Sequence, residues 1–253
     1  MNNTSQWEIE QILTGDNYIY LFVQGSEAVV VDPLEAAPVL DLLEGRNLRC
    51  ACILNTHNHW DHTGGNEELK EKTGCLVVGP DQKIPAVDRI AEKDEELDEY
   101  IPGLQVLPVP GHTPGSVAYH IPFADVVFTG DTLFAAGCGR LMGCSADTMH
   151  YSLMRLAALP PQTLMYCGHE YTLENLRFAA LMEPRNDAVR IRLKEVESLY
   201  EKGKTTMPST IGLEKETNPF LRVHSADIRR TLNMDGKSPV EVFAELRRRK
   251  DVF

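Results

Sequence analysis

The sequence predicts an α/β fold, and two features of its first third support this prediction. Short apolar runs alternate with segments of helical spacing in the β-α-β-α-β order of this class. These runs are 18–23, 28–31, 51–54 and 75–78. Three histidines, His57, His59 and His62, come directly after the third run. Because open α/β proteins place their ligand sites at the carboxyl ends of strands, this cluster fits the same class.

The elements of the first half follow one another at short intervals. Residues 7–32 alternate as a β-meander, and the meander ends at Asp32-Pro33. A helix is expected after Pro38 and up to Gly45, where apolar residues recur at helical spacing. A second helix is expected at about 64–72, between the last two apolar runs.

The rest of the chain is first mixed and then helical. The polar stretch 81–103, with the acidic run 92–99, is predicted to be a charged surface excursion, and strands resume after it. Those strands are 104–109, 117–121, 125–128 and 163–166, and a helix is expected at 149–159. From Thr172 onward the pattern is helical, so we place a boundary near residue 170. This gives a catalytic domain at 1–170 and a small helical domain at 171–253.

The composition disfavours several classes of protein. A net charge of −12 and a pI near 5.1 disfavour a general binder of nucleic acids or anionic membranes. Apolar runs stay well short of the ~20 residues of a membrane helix, and the N-terminus lacks the pattern of a secretory signal. The six cysteines lack C-x-x-C spacing, which favours reduced thiols. These observations favour a cytoplasmic protein. We also expect a monomer and a small-molecule partner, although composition does not show either.

Side chains suited to metal ions follow four of the predicted strands. Together these positions supply five histidines and two aspartates, namely His57, His59, Asp61, His62, His112, Asp131 and His169. One catalytic zinc needs only three protein ligands and an open position. The set therefore suffices for two ions, which hydrolytic sites hold about 3.5–4 Å apart. Mixed histidine and aspartate ligation suits zinc, iron or manganese.

Several motifs, in order along the chain, give this sequence a family resemblance. Those at 56–62 (Thr-His-x-His-x-Asp-His), 111–115 (Gly-His-Thr-Pro-Gly), 129–132 (Thr-Gly-Asp-Thr) and 167–170 (Cys-Gly-His-Glu) resemble the metallo-β-lactamase superfamily. The segments 131–140, 167–172, 218–220 (Asn-Pro-Phe) and 247–251 resemble glyoxalase II, the hydroxyacylglutathione hydrolases. The resemblance implies an αββα sandwich of two mixed sheets with outer helices. It also implies that the small C-terminal helical domain binds glutathione.

The resemblance also implies a division of the metal ligands. His57, His59 and His112 would bind the first ion, while Asp61, His62 and His169 would bind the second. Asp131 would bridge the two ions, and Asp131, Asp61 and His62 would carry the catalytic roles. Zinc is the favoured metal, with iron or manganese as alternatives.

The implied reaction is the hydrolysis of S-D-lactoylglutathione to D-lactate and glutathione. A hydroxide held between the two ions would attack the thioester carbonyl. The leaving group is a thiolate of a thiol whose pKa is about 8.5, so it departs without a strong general acid.

Four basic or aromatic residues are implied to bind the glutathione part of the substrate. Arg247 and Lys250 share one helix face at i, i+3, and Tyr171 and Arg140 occupy matching family positions. The chain departs from the family at Met142, where an aromatic residue is usual and where the thioether cannot donate a hydrogen bond. A related thiol ester therefore remains an alternative substrate.

Three other functions stay open. A persulfide dioxygenase would use the same fold with one iron, although it usually lacks a long helical C-terminal domain. A lactonase or β-lactamase would also share the fold, but β-lactamases commonly replace the residue at Asp131 or His62. A non-catalytic metal-binding protein would be expected to have lost a ligand, and here every ligand position is filled.

Overall fold

A computed structural model describes residues 7–91 and 94–253. This description leaves out residues 1–6 and 92–93. The first range belongs to the N-terminus that was judged not to be a secretory signal, and the second belongs to the acidic run. The strands are β1 (Trp7–Thr14), β2 (Asn17–Gln24), β3 (Glu27–Val31), β4 (Arg49–Leu54), β5 (Leu76–Gly79), β6 (Arg89–Ile90), β7 (Gln105–Pro108), β8 (Val117–Ile121), β9 (Val126–Gly130), β10 (Leu133–Phe134), β11 (Gly137–Cys138), β12 (Leu164–Cys167) and β13 (Ser209–Thr210). The helices are α1 (Ala37–Gly45), α2 (Trp60–Thr63), α3 (Asn66–Thr73), α4 (Ala146–Ala157), α5 (Thr172–Met182), α6 (Asp187–Glu201), α7 (Ile211–Thr217), α8 (Ala226–Leu232) and α9 (Pro239–Lys250).

The described residues form two compact units. The first unit contains the described residues up to Pro108 together with Val117–Gly130, and the second contains Val109–Ser116 and Asp131–Phe253. The boundary predicted near residue 170 falls within the second unit and stays a prediction.

The larger sheet of the first unit has the order β1-β2-β3-β4-β5-β6. Strands β1 to β3 pair antiparallel, as expected for the meander, and β3 to β6 pair parallel. Helix α1 lies in the crossover from β3 to β4 and helix α3 in the crossover from β4 to β5, as is usual for parallel strands. Strands β3 and β4 end in register, with Val31 opposite Leu54. The segments that follow them, Asp32 and the histidine run, therefore leave the same edge of the sheet.

Strands β7, β8 and β9 form a second, antiparallel layer of the first unit. The layers meet through buried aromatic residues, and the rings of Tyr20 and Phe128 lie 5.5 Å apart. The hydroxyl of Tyr119 donates to the carbonyl oxygen of Asn55 at 2.9 Å. Burial raises the pKa of the Tyr119 phenol well above its ordinary value, so the group stays a donor at neutral pH. Tyr119 thus fixes the backbone two residues before His57.

The second unit combines helices with two short antiparallel strand pairs, β10–β11 and β12–β13. Its centre holds a buried carboxylate, Glu214, which is 0% exposed. Glu214 accepts hydrogen bonds from Arg192 at 2.7 Å and from the backbone nitrogen of Ala136 at 2.7 Å. The amide of Asn218 donates to the carbonyl oxygens of Phe134 and Gly137 at 3.1 and 2.9 Å. The Asn-Pro-Phe motif therefore anchors the β10–β11 hairpin.

Most predicted elements are present, with ends shifted by a few residues. The short elements α2, β6, β10, β11 and β13 were not predicted, because two to four residues show too little periodicity. Within residues 7–91 and 94–253, no helix is both long enough and apolar enough to cross a membrane. The expectation of a cytoplasmic location stays a prediction.

Candidate metal centre

Four of the candidate ligands lie in the first unit. His57 and His59 follow β4, and Asp61 and His62 lie in helix α2. His57 and His62 are buried, whereas His59 and Asp61 are partly exposed. The Nε2 atom of His57 lies 3.1 Å from the Nδ1 atom of His59. The Nε2 atom of His62 lies 3.8 Å from the Oδ2 atom of Asp61. His57 also lies close to His62, and their ring centroids are 4.3 Å apart. The division of these ligands between two ions stays a prediction.

Helix α2 carries the second of these two pairs, Asp61 and His62. His59 precedes the helix with an extended backbone (φ −70°, ψ 145°), and the chain turns immediately after it. The backbone nitrogen of His62 and the hydroxyl of Thr63 both donate to the carbonyl oxygen of His59, at 3.1 and 3.0 Å. The side chain of Asn17 also donates to the carbonyl oxygen of Asp61 at 3.0 Å. These contacts hold the turn that carries Asp61 and His62.

Asp32 is a buried carboxylate at the centre of the first unit's cluster. It accepts hydrogen bonds from the backbone nitrogen and hydroxyl of Thr56, at 2.7 and 2.6 Å. Its Oδ2 atom also lies 3.1 Å from the Nδ1 atom of His62. Asp32 adopts a left-handed backbone with φ of 51°, a conformation that aspartate tolerates better than most residues. It was not among the predicted site residues.

These contacts determine which ring nitrogens carry protons. An ionised carboxylate only accepts, so the Nδ1 atom of His62 must donate to Asp32. The single hydroxyl proton of Thr56 points to Asp32, so Thr56 accepts from the Nδ1 atom of His57 at 3.0 Å. In a neutral imidazole this leaves the lone pair on the Nε2 atoms of His57 and His62, which is the form that binds metal ions.

The other three candidate ligands lie in the second unit, around Asp131. One oxygen of Asp131, Oδ2, lies 3.5 Å from the Nε2 atom of His112 and 3.3 Å from the Nε2 atom of His169. All three side chains are buried. The Nδ1 atom of His112 lies 3.0 Å from the carbonyl oxygen of Arg140, which can only accept, so the Nε2 atom of His112 also keeps its lone pair. A carboxylate between two imidazoles has the chemistry of a bridging ligand.

Gly139 allows this close arrangement. A side chain at Gly139 would place its Cβ atom 2.0 Å from the carbonyl oxygen of Asp131 and 3.1 Å from the Nδ1 atom of His112. The first of these distances is a severe clash with backbone, so the position requires glycine. The Gly-Cys-Gly-Arg motif is thus explained by the need to pack a turn against two ligands.

The donor set of each unit fits a divalent ion. Two nitrogens that are each about 2.1 Å from a tetrahedral ion lie about 3.4 Å apart. The 3.1 Å between His57 and His59 is close to this value. In the first unit, donor atoms of Asp32, His57 and His62 also lie within 4.8 Å of one another. Imidazole nitrogens with lone pairs, beside carboxylates, are the ligands of catalytic zinc, iron or manganese.

The comparisons with known proteins cover nearly all of the chain. The family model "Metallo-beta-lactamase superfamily" matches residues 13–169, and the model "Hydroxyacylglutathione hydrolase C-terminus" matches residues 170–253. The hydroxyacylglutathione hydrolase of Methylococcus capsulatus is 50% identical over an alignment 252 positions long, which covers 97% of this chain and 98% of that protein. The chain belongs to the hydroxyacylglutathione hydrolase family. The predicted family and fold class are both confirmed.

Two solved structures are similar at lower identity. ETHE1 from Myxococcus xanthus is 26% identical with a TM-score of 0.64, and the match covers 97% of this chain and 99% of that one. TTHA1623 in a di-iron-bound form is 27% identical with a TM-score of 0.58, covering 86% and 96%. Sequence identity is thus nearly twofold higher to the hydroxyacylglutathione hydrolase than to ETHE1.

The predicted glutathione-binding residues all lie in the second unit. The guanidinium of Arg247 donates to the carbonyl oxygen of Cys138 at 2.7 Å and to Asp251 at 3.1 Å, and it is 5.3 Å from the ring of Phe220. Arg247 is only 5% exposed. Its hydrogen bond to Cys138, two residues before Arg140, therefore also has a structural role. The side chain of Lys250 is buried and pairs with Glu174.

Tyr171 and Met142 lie beside candidate ligands. The ring of Tyr171 stacks on the imidazole of His169 at 4.7 Å with an interplanar angle of 3°. The backbone nitrogen of Met142 donates to the carbonyl oxygen of His112 at 3.0 Å, while its side chain is exposed. Met142 therefore keeps a backbone contact next to a ligand, although its side chain departs from the family pattern.

His120, His150 and Cys138 lie outside the candidate ligand set, and burial shifts the pKa of each. Burial lowers the pKa of His120 and His150, so both stay neutral near pH 7. Burial raises the pKa of Cys138 to about 11, although Arg247 beside it opposes the shift. A protonated thiol of this kind is inert, so Cys138 is not expected to act as a nucleophile.

Sequence reasoning missed Asp32, Glu214 and Arg192. Asp32 follows β3, the strand beside the one that leads to the histidine run, and this position was the available signal. Since Asp-Pro is also typical of turns, the dipeptide alone does not reveal a ligand-orienting residue. Glu214 and Arg192 gave no signal, because their pairing joins two helices of ordinary composition.

Proposed function

We propose that this protein is a metal-dependent thioester hydrolase that cleaves S-(2-hydroxyacyl)glutathione, such as S-D-lactoylglutathione, to the 2-hydroxy acid and glutathione. The geometric observation that supports this function best is the position of Asp131. One oxygen of its carboxylate faces the Nε2 atoms of both His112 and His169. A shared carboxylate is what a two-ion hydrolytic site requires.

The proposed ligands follow the family assignment. His57, His59 and His112 would hold the first ion, and Asp61, His62 and His169 the second. Asp131 would contact both ions. Zinc is the proposed metal, with iron or manganese as alternatives. When bound, two such ions supply a hydroxide near neutral pH and polarise a carbonyl oxygen.

The chain's own residues prepare the ligands for this chemistry. Asp32 and Thr56 accept the Nδ1 protons of His62 and His57, and so fix each ring with its Nε2 lone pair available. The carbonyl oxygen of Arg140 does the same for His112. Because these acceptors are held by backbone contacts and burial, the imidazoles do not need to reorient when metal binds.

The glutathione part of the substrate is proposed to bind to the second unit. Arg140, Tyr171, Arg247 and Lys250 supply three cations and one aromatic ring, which suit a tripeptide with two carboxylates. The chain as a whole carries a charge of −12, so an anionic substrate needs such a local cationic group. Cleavage releases a thiolate, which needs little help from a general acid.

The test is a comparison of substrates on enzyme whose metal content has been measured. S-D-lactoylglutathione is compared with the lactoyl thioester of a thiol that lacks the γ-glutamyl and glycyl groups. We expect kcat/KM to be at least about tenfold higher for the glutathione ester, which corresponds to about 1.4 kcal/mol. Equal values would contradict glutathione as the carrier.

The same enzyme preparation addresses the oxidoreductase alternative. Glutathione persulfide is added and dissolved oxygen is followed with an electrode. We expect no oxygen consumption above the rate without enzyme. Oxygen uptake that depends on both enzyme and persulfide, with no thioester hydrolysis, would replace the proposal by a dioxygenase.

A further inference from the structure

Cys50 and Cys75 lie side by side in the first unit because strand β4 contains a bulge. In the pairing of β3 with β4, Ala28 is opposite Cys50 and Val29 is opposite Cys52, so Ala51 is an extra residue. Side chains of a regular strand alternate between faces, and one extra residue shifts that alternation. Cys50 therefore packs in the same apolar cluster as Cys75, at the start of the neighbouring strand β5.

Both cysteines belong to this buried cluster, at 3% and 4% exposure. The Cys50 thiol lowers the pKa of Cys75 to about 7, with a further contribution from Thr73, while burial opposes the shift. The Cys50 sulfur also lies 3.8 Å from the carbonyl oxygen of Cys52. Neighbouring strands lie about 4.8 Å apart, which is within the Cα separation that a disulfide spans.

A cavity of about 650 Å³ reaches Cys50, one member of this pair. Cys50 lines the cavity, which opens to the surface between α1, the start of β4 and the end of α3. Two cations, Arg49 and Lys72, also line it, together with Leu40, Leu43 and Thr73. Both cysteines are buried, so the cavity admits a small oxidant and excludes bulky ones.

We propose that Cys50 and Cys75 form a peroxide-sensitive dithiol that closes to a reversible intramolecular disulfide. The Cys75 thiolate attacks hydrogen peroxide, which gives a sulfenic acid and hydroxide. The Cys50 sulfur then attacks the Cys75 sulfur, and the hydroxyl group leaves as water once the Cys50 proton is transferred. In sum, two thiols and one hydrogen peroxide give one disulfide and two waters. Two molecules of glutathione reverse the reaction and become glutathione disulfide.

The experiment treats the whole protein with graded hydrogen peroxide, alkylates the remaining thiols and maps the peptides by mass spectrometry. We expect a protein lighter by two hydrogen atoms before alkylation, with the Cys50 and Cys75 peptides linked. Glutathione should restore both thiols. The proposal is wrong if peroxide oxidises other cysteines while Cys50 and Cys75 both remain open to alkylation. It is also wrong if Cys75 gains oxygen atoms but forms no disulfide.

Two variants sharpen the test. In Cys50→Ser, Cys75 can no longer form this disulfide, and the linked peptide should be absent. Cys52→Ser is the matched control, because Cys52 is equally buried but lies outside the cluster that holds the pair. It should form the linked peptide as the unaltered protein does. Loss of the disulfide in Cys52→Ser would contradict the assignment. A disulfide between Cys52 and Cys75 in Cys50→Ser would contradict it as well. The mapping of the unaltered protein stands even if a variant folds poorly.

Discussion

The Nδ1 atom of His62 lies 3.1 Å from the Oδ2 atom of Asp32, thirty residues earlier in the chain. The same carboxylate binds the backbone and hydroxyl of Thr56, which in turn accepts from His57. One buried residue therefore sets the orientation of two candidate ligands that belong to different ions in the proposed assignment.

Replacement of Asp32 by asparagine is expected to weaken metal binding without removing a proposed ligand. Asparagine keeps the size and tolerates the left-handed backbone, but its NH₂ group would face a donor. Loss of an orienting partner typically costs about 10–100-fold in metal affinity or activity. Chelator competition followed by metal analysis measures the affinity, and thioester hydrolysis measures the activity.

Asp125→Asn is the matched control for this prediction. Asp125 has nearly the same left-handed backbone, with φ of 52° against 51° for Asp32, but it is exposed at the start of β9. The control should keep metal affinity and activity. Equal affinities for Asp32→Asn and the unaltered protein would show that Asp32 does not orient His62.

Replacement of Asp131 by alanine should cost both metal ions and nearly all turnover. The reason is that one oxygen of Asp131 faces two proposed ligands, His112 and His169. Because these belong to different ions in the proposed assignment, loss of the carboxylate should weaken the binding of both ions. Metal content per chain and kcat are the two measurements. Asp147→Ala, an exposed position in the first turn of α4, is the control. A variant with full metal and unchanged kcat would rule out the bridging role.

The sequence predicted the long, regular elements well and brought out the candidate ligands, and the physical reason is local. Buried parallel strands appear as continuous apolar runs, and the histidine spacing lies within one short segment. The role of Asp32 depends on Thr56 and His62, which come together only when β3 and β4 pair in register. A single sequence carries no local trace of that contact.

The hairpin β10–β11 was missed for a related reason. Its two-residue strands are too short for an alternating pattern, and the residues that hold it, Asn218 and Glu214, come about eighty positions later. The Asn-Pro-Phe motif was noticed through the family resemblance, but its physical role in anchoring this hairpin needed the structure.

Arg247→Ala and Lys250→Ala are each expected to raise KM for glutathione thioesters by about tenfold, or about 1.4 kcal/mol, with a smaller change in kcat. The expected cause is a lost cation for the carboxylates of glutathione. Arg247 also holds the carbonyl oxygen of Cys138, so Arg247→Ala should lower the melting temperature as well.

Arg248→Ala is the control for both variants. Arg248 is on the same helix, but its side chain is 66% exposed and pairs with Glu245 on the surface. It should leave KM and stability nearly unchanged. If neither Arg247→Ala nor Lys250→Ala changes KM for the glutathione ester, glutathione binds elsewhere.

Glu214→Gln is expected to destabilise the protein far more than any surface exchange of the same kind. Glu214 and Arg192 are both buried, and their salt bridge is 2.7 Å long. Removing one partner of a buried pair leaves an uncompensated charge and typically costs about 3–5 kcal/mol. Such a loss corresponds to a fall in melting temperature on the order of 10 °C for a chain of this size. Thermal unfolding followed by circular dichroism measures it.

The matched control is Glu245→Gln, because Glu245 pairs with Arg248 and Arg249 at the surface of α9. Exposed pairs contribute about 0–1 kcal/mol, so this variant should melt within a few degrees of the unaltered protein. Glu214 also accepts from the backbone of Ala136 in the hairpin that follows Asp131. Glu214→Gln should therefore lower kcat/KM even at temperatures where the variant is folded. If Glu214→Gln melts no lower than Glu245→Gln, the hairpin is held by Asn218 and not by the buried carboxylate.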